Sequence, residues 1–417
     1  MSKRFKVVTL GCRTNQYESQ AYTDQFRQLG YTPALEGEDS ELCIVNTCTV
    51  TEGADRSSKY QIRSLLRENP KAKVVVTGCM AESASEQLLA MDPRIQVVPN
   101  KDKEQLIAHV FPEEESFPEF HIEAFDAHTR AFLKVQDGCD SYCTYCIIPY
   151  VRGRSRSRKI GDVLQEARGL VEKGFKEIVL TGINIGDWVD ENLRLADLVR
   201  AVDQIEGLKR LRISSIDPDE VDDQLLDAVL HGRCTCPSMH IVLQSGSNVI
   251  LKRMNRKYTR QIFVETVEKL LHLEPDFTIT TDVIVGFPGE SDADFLDTVD
   301  LIESLPFSKV HMFPYSPRKR TRAALYPNQI APDVMNQRKQ HLLHLAEKRA
   351  FRLREQFVGR TMSVLLEQSS DTRAGFLSGH TENFLRVWVE ARSYKPNDLV
   401  EVQLVANEPD GLIGVIL

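Results

Sequence analysis

Short apolar runs recur along the first hundred residues, at Lys6–Leu10, Leu42–Asn46, Lys73–Thr77 and Ile95–Val98. Between them apolar positions return every three or four residues, over Gln16–Leu29, Asp55–Glu68 and Ser83–Met91, the period of one helix face. Brief buried strands separated by helices predict βαβ units and a parallel sheet. The stretch Pro112–Phe120 interrupts the pattern with prolines and clustered glutamates, and reads as a boundary.

A second alternation begins near residue 130. Strands are expected at Ala131–Val135, Glu177–Leu180, Leu211–Ser214, His240–Leu243, Thr278–Val285 and Lys309–Phe313. Helices are expected at Ile160–Lys173, Leu193–Val202, Thr259–Leu271 and Asp292–Leu305. About six such repeats fit a partial (β/α) barrel, and a flat doubly wound sheet is the other arrangement of the same pattern. A basic helix, Pro332–Phe357, leads to strand-like runs at Thr361–Leu366, Phe384–Val389, Leu399–Ala406 and Ile413–Leu417. Turn residues separate these runs, as in a small β-barrel or sandwich. The expected fold is therefore α/β. It has an N-terminal parallel-sheet domain over 1–112, a central partial (β/α) barrel over 125–355 and a small C-terminal β-barrel over 358–417.

A chain of 417 residues is long enough for two or three cores. No window approaches the ~20 apolar residues of a membrane span, and Met1–Leu10 runs straight into a strand without a leader pattern. A cytoplasmic protein is expected. The net charge of -8 argues against wholesale attraction to nucleic acid. Charge is uneven, however: residues 130–160 hold seven Lys/Arg against two Asp/Glu, and 318–360 hold eleven against three. Such stretches can grip a polyanion locally.

The nine cysteines change the picture most. Disulfides are disfavoured in the expected compartment, so clustered cysteines point to metal or catalysis. Cys139, Cys143 and Cys146 follow a strand with the spacing C-x3-C-x2-C. Three soft thiolates suit an iron–sulfur cluster with one iron left open, or zinc if a fourth ligand joins them. Downstream strands end in polar or glycine-rich turns bearing Thr181, Gly182 and Asn184, then Ser214, Gln244 and Gly286. As a set these resemble a cofactor cradle on the rim where α/β folds place active sites. Cys12, Cys48 and Cys79 are far apart in sequence, yet each follows an apolar strand and precedes a helix. A parallel sheet would gather them along one edge as a second three-thiolate set. Cys43 reads as core. Cys234 and Cys236 read as loop residues, with a metal or redox pair as the minority view.

On those residues the chain resembles, over essentially its whole length, the methylthiotransferase family of radical S-adenosylmethionine (SAM) enzymes. The carriers are the loop Gly138–Pro149, the following Arg-Gly-Arg-Ser-Arg-Ser-Arg158, the Cys12/Cys48/Cys79 set, Gln244–Asn248, Arg256–Thr259 and Asp282–Glu290. The resemblance implies a radical-SAM core and a C-terminal TRAM domain. It implies a 4Fe-4S cluster on Cys139, Cys143 and Cys146 whose free iron chelates SAM, yielding a 5′-deoxyadenosyl radical. It implies a second 4Fe-4S cluster on Cys12, Cys48 and Cys79 that carries the sulfur to be transferred. A tRNA substrate, a reductant such as flavodoxin or ferredoxin, and a monomer are expected. No general acid or base stands out.

The family divides by substrate: isopentenyl-adenosine in tRNA, threonylcarbamoyl-adenosine in tRNA, or a ribosomal-protein aspartate. Gly11–Ser19, Leu180–Asn184 and Arg212–Asp217 look most like the threonylcarbamoyl branch, which implies methylthiolation of C2 at position 37. The C-terminal segment holds five Lys/Arg against eight Asp/Glu over 358–417, which mildly favours the ribosomal protein and leaves RNA contacts to Arg360, Arg373, Arg386 and Arg392. Arg320 stands where the family usually has glycine. Arg152, Arg154, Arg156 and Arg158, and Arg318, Arg320 and Arg322, are candidate RNA contacts; a solvated, salt-bridged surface is the alternative. An iron–sulfur electron carrier or redox sensor is the competing class, and it leaves two open irons unexplained.

Overall fold

The computed structural model describes residues 3–123, 129–367 and 373–417. The expected start of the second domain, residue 125, lies outside them. The N-terminal sheet has five parallel strands in the order Thr32–Pro33, Arg4–Thr9, Leu42–Thr47, Lys73–Gly78, Ile95–Val97. Leu42–Thr47 is buried at every position, so it reads as a continuous apolar run rather than an alternating one. The two-residue strand Thr32–Pro33 was not expected. It is too short for a periodic signal, and its proline is tolerated at a sheet edge.

In the central part, Ala131–Lys134, Glu177–Thr181 and Arg210–Ile213 form one parallel sheet. Ser215–Ile216, Ser238–Ile241, Thr278–Val285 and Phe307–Pro314 form the next. The chain runs directly from Arg210–Ile213 into Ser215–Ile216, and a parallel bridge between Leu211 and Thr235 closes the seam. Strand order follows chain order throughout, with no switch point, so the curved open barrel is the outcome and the doubly wound sheet is not. Helix Arg13–Gln28 lies against the first barrel strand, and its Tyr17 and Ala21 belong to the barrel's core.

Helix Pro332–Glu355 packs on the last barrel strand and leads to a closed five-stranded β-barrel. Its strand Phe376–Thr381 was not read from sequence, because Ser378 and Gly379 blur the alternation. This small barrel plugs the larger one where the parallel strands begin. Arg210 donates to the Ser363 and His380 carbonyls (2.7 and 2.8 Å), and Arg212 to those of Thr381 and Glu382 (2.9 and 2.8 Å). Among the described residues no helix is long and apolar enough to cross a membrane.

Candidate active site between two cysteine triads

The loop carrying Cys139, Cys143 and Cys146 is closed at its neck by an antiparallel ladder of Gln136–Asp137 with Arg156–Ser157. The Cys139 N–H donates to the Gly153 carbonyl at 3.1 Å. Gly138 has φ +73°, and a β-carbon there would run into the Arg154 carbonyl, so the neck requires glycine. Gln136 ties the loop to the next strand end: its Nε2 donates to the Gly138 carbonyl (2.7 Å), and its Oε1 accepts from the Ile183 and Asn184 N–H groups (both 2.9 Å). A β-carbon on Gly182 would press on Gln136, which explains the glycine there. Arg256 donates to the Cys143 sulfur at 3.0 Å and pairs with Asp217.

Burial pushes the Cys146 thiol up to about 12, and the neighbouring Cys143 and Cys139 add to it. The three sulfurs are therefore within electrostatic reach of one another. A bound cationic centre reverses that penalty by taking thiolates. Two of the cradle residues fit a missing ligand: Ser214 Oγ and Gln244 Oε1 are buried with no partner in the chain. Thr181 and Ser214 are buried at adjacent strand ends, and Asn184 donates to Glu220 at 3.0 Å. Gly286 is a correction. Its N–H is taken by Glu290 (2.7 Å) and a β-carbon would strike Met335, so close packing accounts for the glycine and its N–H is not free for a ligand. Sequence reasoning missed Glu220, in the short 3-10 helix Pro218–Glu220, and quoted Arg256 only within the segment Arg256–Thr259 without a role; both gain meaning from their neighbours.

Cys12 caps helix Arg13–Gln28, Cys48 follows Leu42–Thr47, and Cys79 opens helix Cys79–Ser83. Their three strands are neighbours in the sheet, so the cysteines meet along one edge. A β-carbon on Gly11 would lie 3.0 Å from the Cys48 sulfur. Burial pushes Cys48 up to about 11, with Cys79 and Cys12 contributing. Asn46 Oδ1, Thr77 Oγ1 and Asn100 Oδ1 are buried nearby without partners. Among the described residues no three His, Cys, Asp or Glu side chains are placed to hold a single metal ion. A cubane is a larger object that keeps its thiolates apart at separate corners.

The two triads are joined through the interior. Cys79 packs with Ile147 and Val151, just after Cys146. Beside them Arg152 donates to Glu18 (3.0 Å) and Asp137 (2.8 Å), and Lys103 pairs with Glu18 (2.7 Å) and with Asp137. The Arg152 side chain is fully buried, which corrects the expectation that it meets RNA. Arg158 is likewise drawn in, to Glu166 at 2.6 Å. Strand alternation would put all four arginines on one face, but the chain is irregular here outside Arg156–Ser157, and it turns these two inward while Arg154 and Arg156 stay exposed. Arg318 is mostly buried against Thr49 (2.8 Å) and Asp55 (2.5 Å), fastening its loop to the N-terminal sheet. Arg320 and Arg322 are exposed. Arg320 has φ +74°, the left-handed region that favours the glycine expected there, and its guanidinium lies 5.0 Å from the Tyr150 ring centre. In the small barrel Arg360, Arg373 and Arg392 are held by Asp276, Glu408 and Glu390, leaving Arg386 over Trp388. Cys43 is core, and Cys234 and Cys236 are buried rather than in an open loop.

A cavity of ≈ 1190 Å³ opens between the three parts, lined by Cys12, Thr181, Gly182 and Ser214, with Phe384 from the small barrel. An open parallel barrel with a three-cysteine loop after its first strand, and a cavity that reaches the neighbouring strand ends, is the architecture of a radical-SAM enzyme. The Radical SAM superfamily model matches residues 133–302, and the model of Uncharacterized protein family UPF0004 matches residues 4–99. The radical-SAM methyltransferase TsrM from Kitasatospora setae superposes with a TM-score of 0.54 over 76% of this chain and 77% of that one, at 14% identity, a likeness of fold alone. Threonylcarbamoyladenosine tRNA methylthiotransferase MtaB of Chlamydia pneumoniae is 48% identical across 99% of this chain and 98% of its own. The MtaB of Bacillus subtilis is 34% identical across 95% and 92%. A tRNA-2-methylthio-N(6)-dimethylallyladenosine synthase of Clostridium perfringens is 33% identical across 100% and 98%. This chain belongs to the radical-SAM methylthiotransferases, in the MtaB branch. It is an enzyme whose cofactors are an iron–sulfur cluster and SAM.

Proposed function

We propose that the enzyme adds a methylthio group to C2 of N6-threonylcarbamoyladenosine at position 37 of tRNA, in the cytoplasm and as a monomer. The observation that carries this reading is the shared cavity. Cys12 of one triad and Thr181, Gly182 and Ser214 beside the other line the same space, so one base can face both. The 48% identity to a relative named for this nucleoside, against 33% to one named for dimethylallyladenosine, supports the choice of substrate. We assign 4Fe-4S clusters to both triads, with electrons arriving from a carrier such as flavodoxin or ferredoxin. When bound, these groups and SAM supply removal of hydrogen from an unactivated carbon and the sulfur that replaces it.

The chain's own residues position that chemistry. Gln136 holds the loop of Cys139 against the turn at Gly182–Asn184. Arg256 sets a positive charge on Cys143, and Ser214 and Gln244 offer free polar atoms to SAM. Outside, Arg154, Tyr142, Tyr150 and Arg320 form a basic and aromatic patch beside the loop, suited to RNA phosphates and unstacked bases. The units 1–112, 125–355 and 358–417 serve in this reading as sulfur donor, radical core and TRAM-like RNA module.

Nucleoside mass spectrometry after reaction with threonylcarbamoyl-containing tRNA tests the assignment. The wild type should form the 2-methylthio nucleoside. Cys48→Ala should form none while still cleaving SAM to 5′-deoxyadenosine. Product on dimethylallyladenosine tRNA or on ribosomal protein, with none on the threonylcarbamoyl substrate, would overturn it.

A further inference from the structure

Arg13, the neighbour of Cys12, lines the cavity and stacks on Phe132 at 5.6 Å, yet among the described residues it makes no ion pair and no hydrogen bond. Its surroundings are cationic and their counter-charges are already used. Glu177 is fully buried and receives Arg212 (2.6 Å), Arg210 (3.7 Å) and Arg130 (4.0 Å), while Glu367 receives Arg130 at 3.1 Å. Phe384 fills the faces of Arg130 and Arg212, with ring centres 4.9 and 4.8 Å away. Arg130 and Arg212 line the same recess as Arg13, with Phe384 between the barrels. A sequestered guanidinium without a partner is costly by itself and favours any ligand that brings an anion. Helix Arg13–Gln28 has no acidic residue in its first turn, and Asp282, Glu347 and Asp410, which line the same cavity, form no ion pair with Arg13.

We propose that Arg13 receives the free carboxylate of the substrate's threonyl group, and so selects the acidic N6-threonylcarbamoyl nucleoside over neutral N6-alkyl ones. This rests on the function proposed above. A guanidinium fork matches a carboxylate with two parallel hydrogen bonds. A neutral substituent would leave the part-buried cation unpaired, so discrimination comes from a penalty as well as an attraction. Because Arg13 adjoins Cys12, the substrate's acid would anchor beside the sulfur-donating triad.

The test uses the reconstituted holoenzyme and anticodon stem-loops carrying threonylcarbamoyladenosine, its methyl ester, or plain adenosine at position 37. The wild type should bind the acid at least about tenfold more tightly than the ester, the scale of one charge-assisted contact. Arg13→Gln should lose that ratio and raise KM for the acid, while Arg13→Lys keeps part of it, each with wild-type iron content. If Arg13→Gln loses iron, the ester comparison on the unaltered protein decides. Equal binding of acid and ester by the wild type would overturn the proposal. So would a loss in Arg13→Gln that is the same for all three RNAs, which marks a phosphate contact. Failure of the wild type to methylthiolate the acid RNA would instead sink the assigned function, and the acid-to-ester ratio remains readable in that case.

Discussion

Glu220 shows how a single side chain acquires its chemistry from the fold. In sequence it is one acid in the acidic loop Asp217–Glu220, with no periodic or motif signal. In the structure burial raises its carboxyl from 4.5 to about 7, with Asp217 adding and the Asn184 hydrogen bond opposing. The folded chain thus holds this proton more tightly than the unfolded one. Its contribution to stability is complete below about 4.5 and is lost as pH rises toward 7. Glu220→Gln keeps an oxygen for Asn184 and removes the titration. Thermal unfolding followed from pH 4.5 to 7.5 should decline less steeply in the variant, and an unchanged slope would show that Glu220 ionises freely in the fold. The cysteines were legible because strand-end placement survives in sequence. The arginines were not: Arg152 and Arg154 are two residues apart in one basic run, and only the packing sends one inward.

At the scale of elements, most strands and helices lie within a few residues of the apolar pattern, because each buries one face on a neighbour. The short ladder of Gln136–Asp137 with Arg156–Ser157 escaped that logic, since two-residue strands have no period. The joint between the N-terminal domain and the barrel is made by Glu18, Lys103, Lys134, Asp137 and Arg152, all buried. Burial alone would raise the Glu18 carboxyl, but Arg152, Lys103 and Lys134 bring it down to about 2. Glu18→Gln leaves three buried cations to one buried carboxylate, Asp137, with Glu104 reaching Lys134 from the surface, and should destabilise the chain by about 3–5 kcal/mol. Adding Arg152→Met should recover part of that loss, because the two residues act as a pair. Chemical denaturation of the single and double variants reads this directly, and simple additivity would rule out the coupling.

At the scale of the molecule, the cavity is a product of assembly. Helix Arg13–Gln28 supplies one wall, the barrel lumen another, and the small barrel's Phe384 closes the end. Arg212 fastens that closure, pairing with Glu177 while donating to the Thr381 and Glu382 carbonyls. Arg212→Met should cost about 3 kcal/mol or more, because Glu177 keeps only the more distant Arg210 and Arg130 and the two carbonyls lose their donor. Hydrogen exchange over 376–390 should rise with it, and unaltered protection there would show that the small barrel is held by other contacts.

The sequence by itself determined the three-part α/β plan, the two cysteine triads and the chemistry they imply. Apolar period and ligand spacing are local properties, written along the chain. The tertiary structure alone decided the open barrel over the flat sheet, the inward turn of Arg152, Arg158 and Arg318, and the meeting of Cys12 with the strand ends beside the other triad at one cavity. Those depend on which distant surfaces bury each other and which charges that burial leaves without a partner, and neither quantity has a period along the chain.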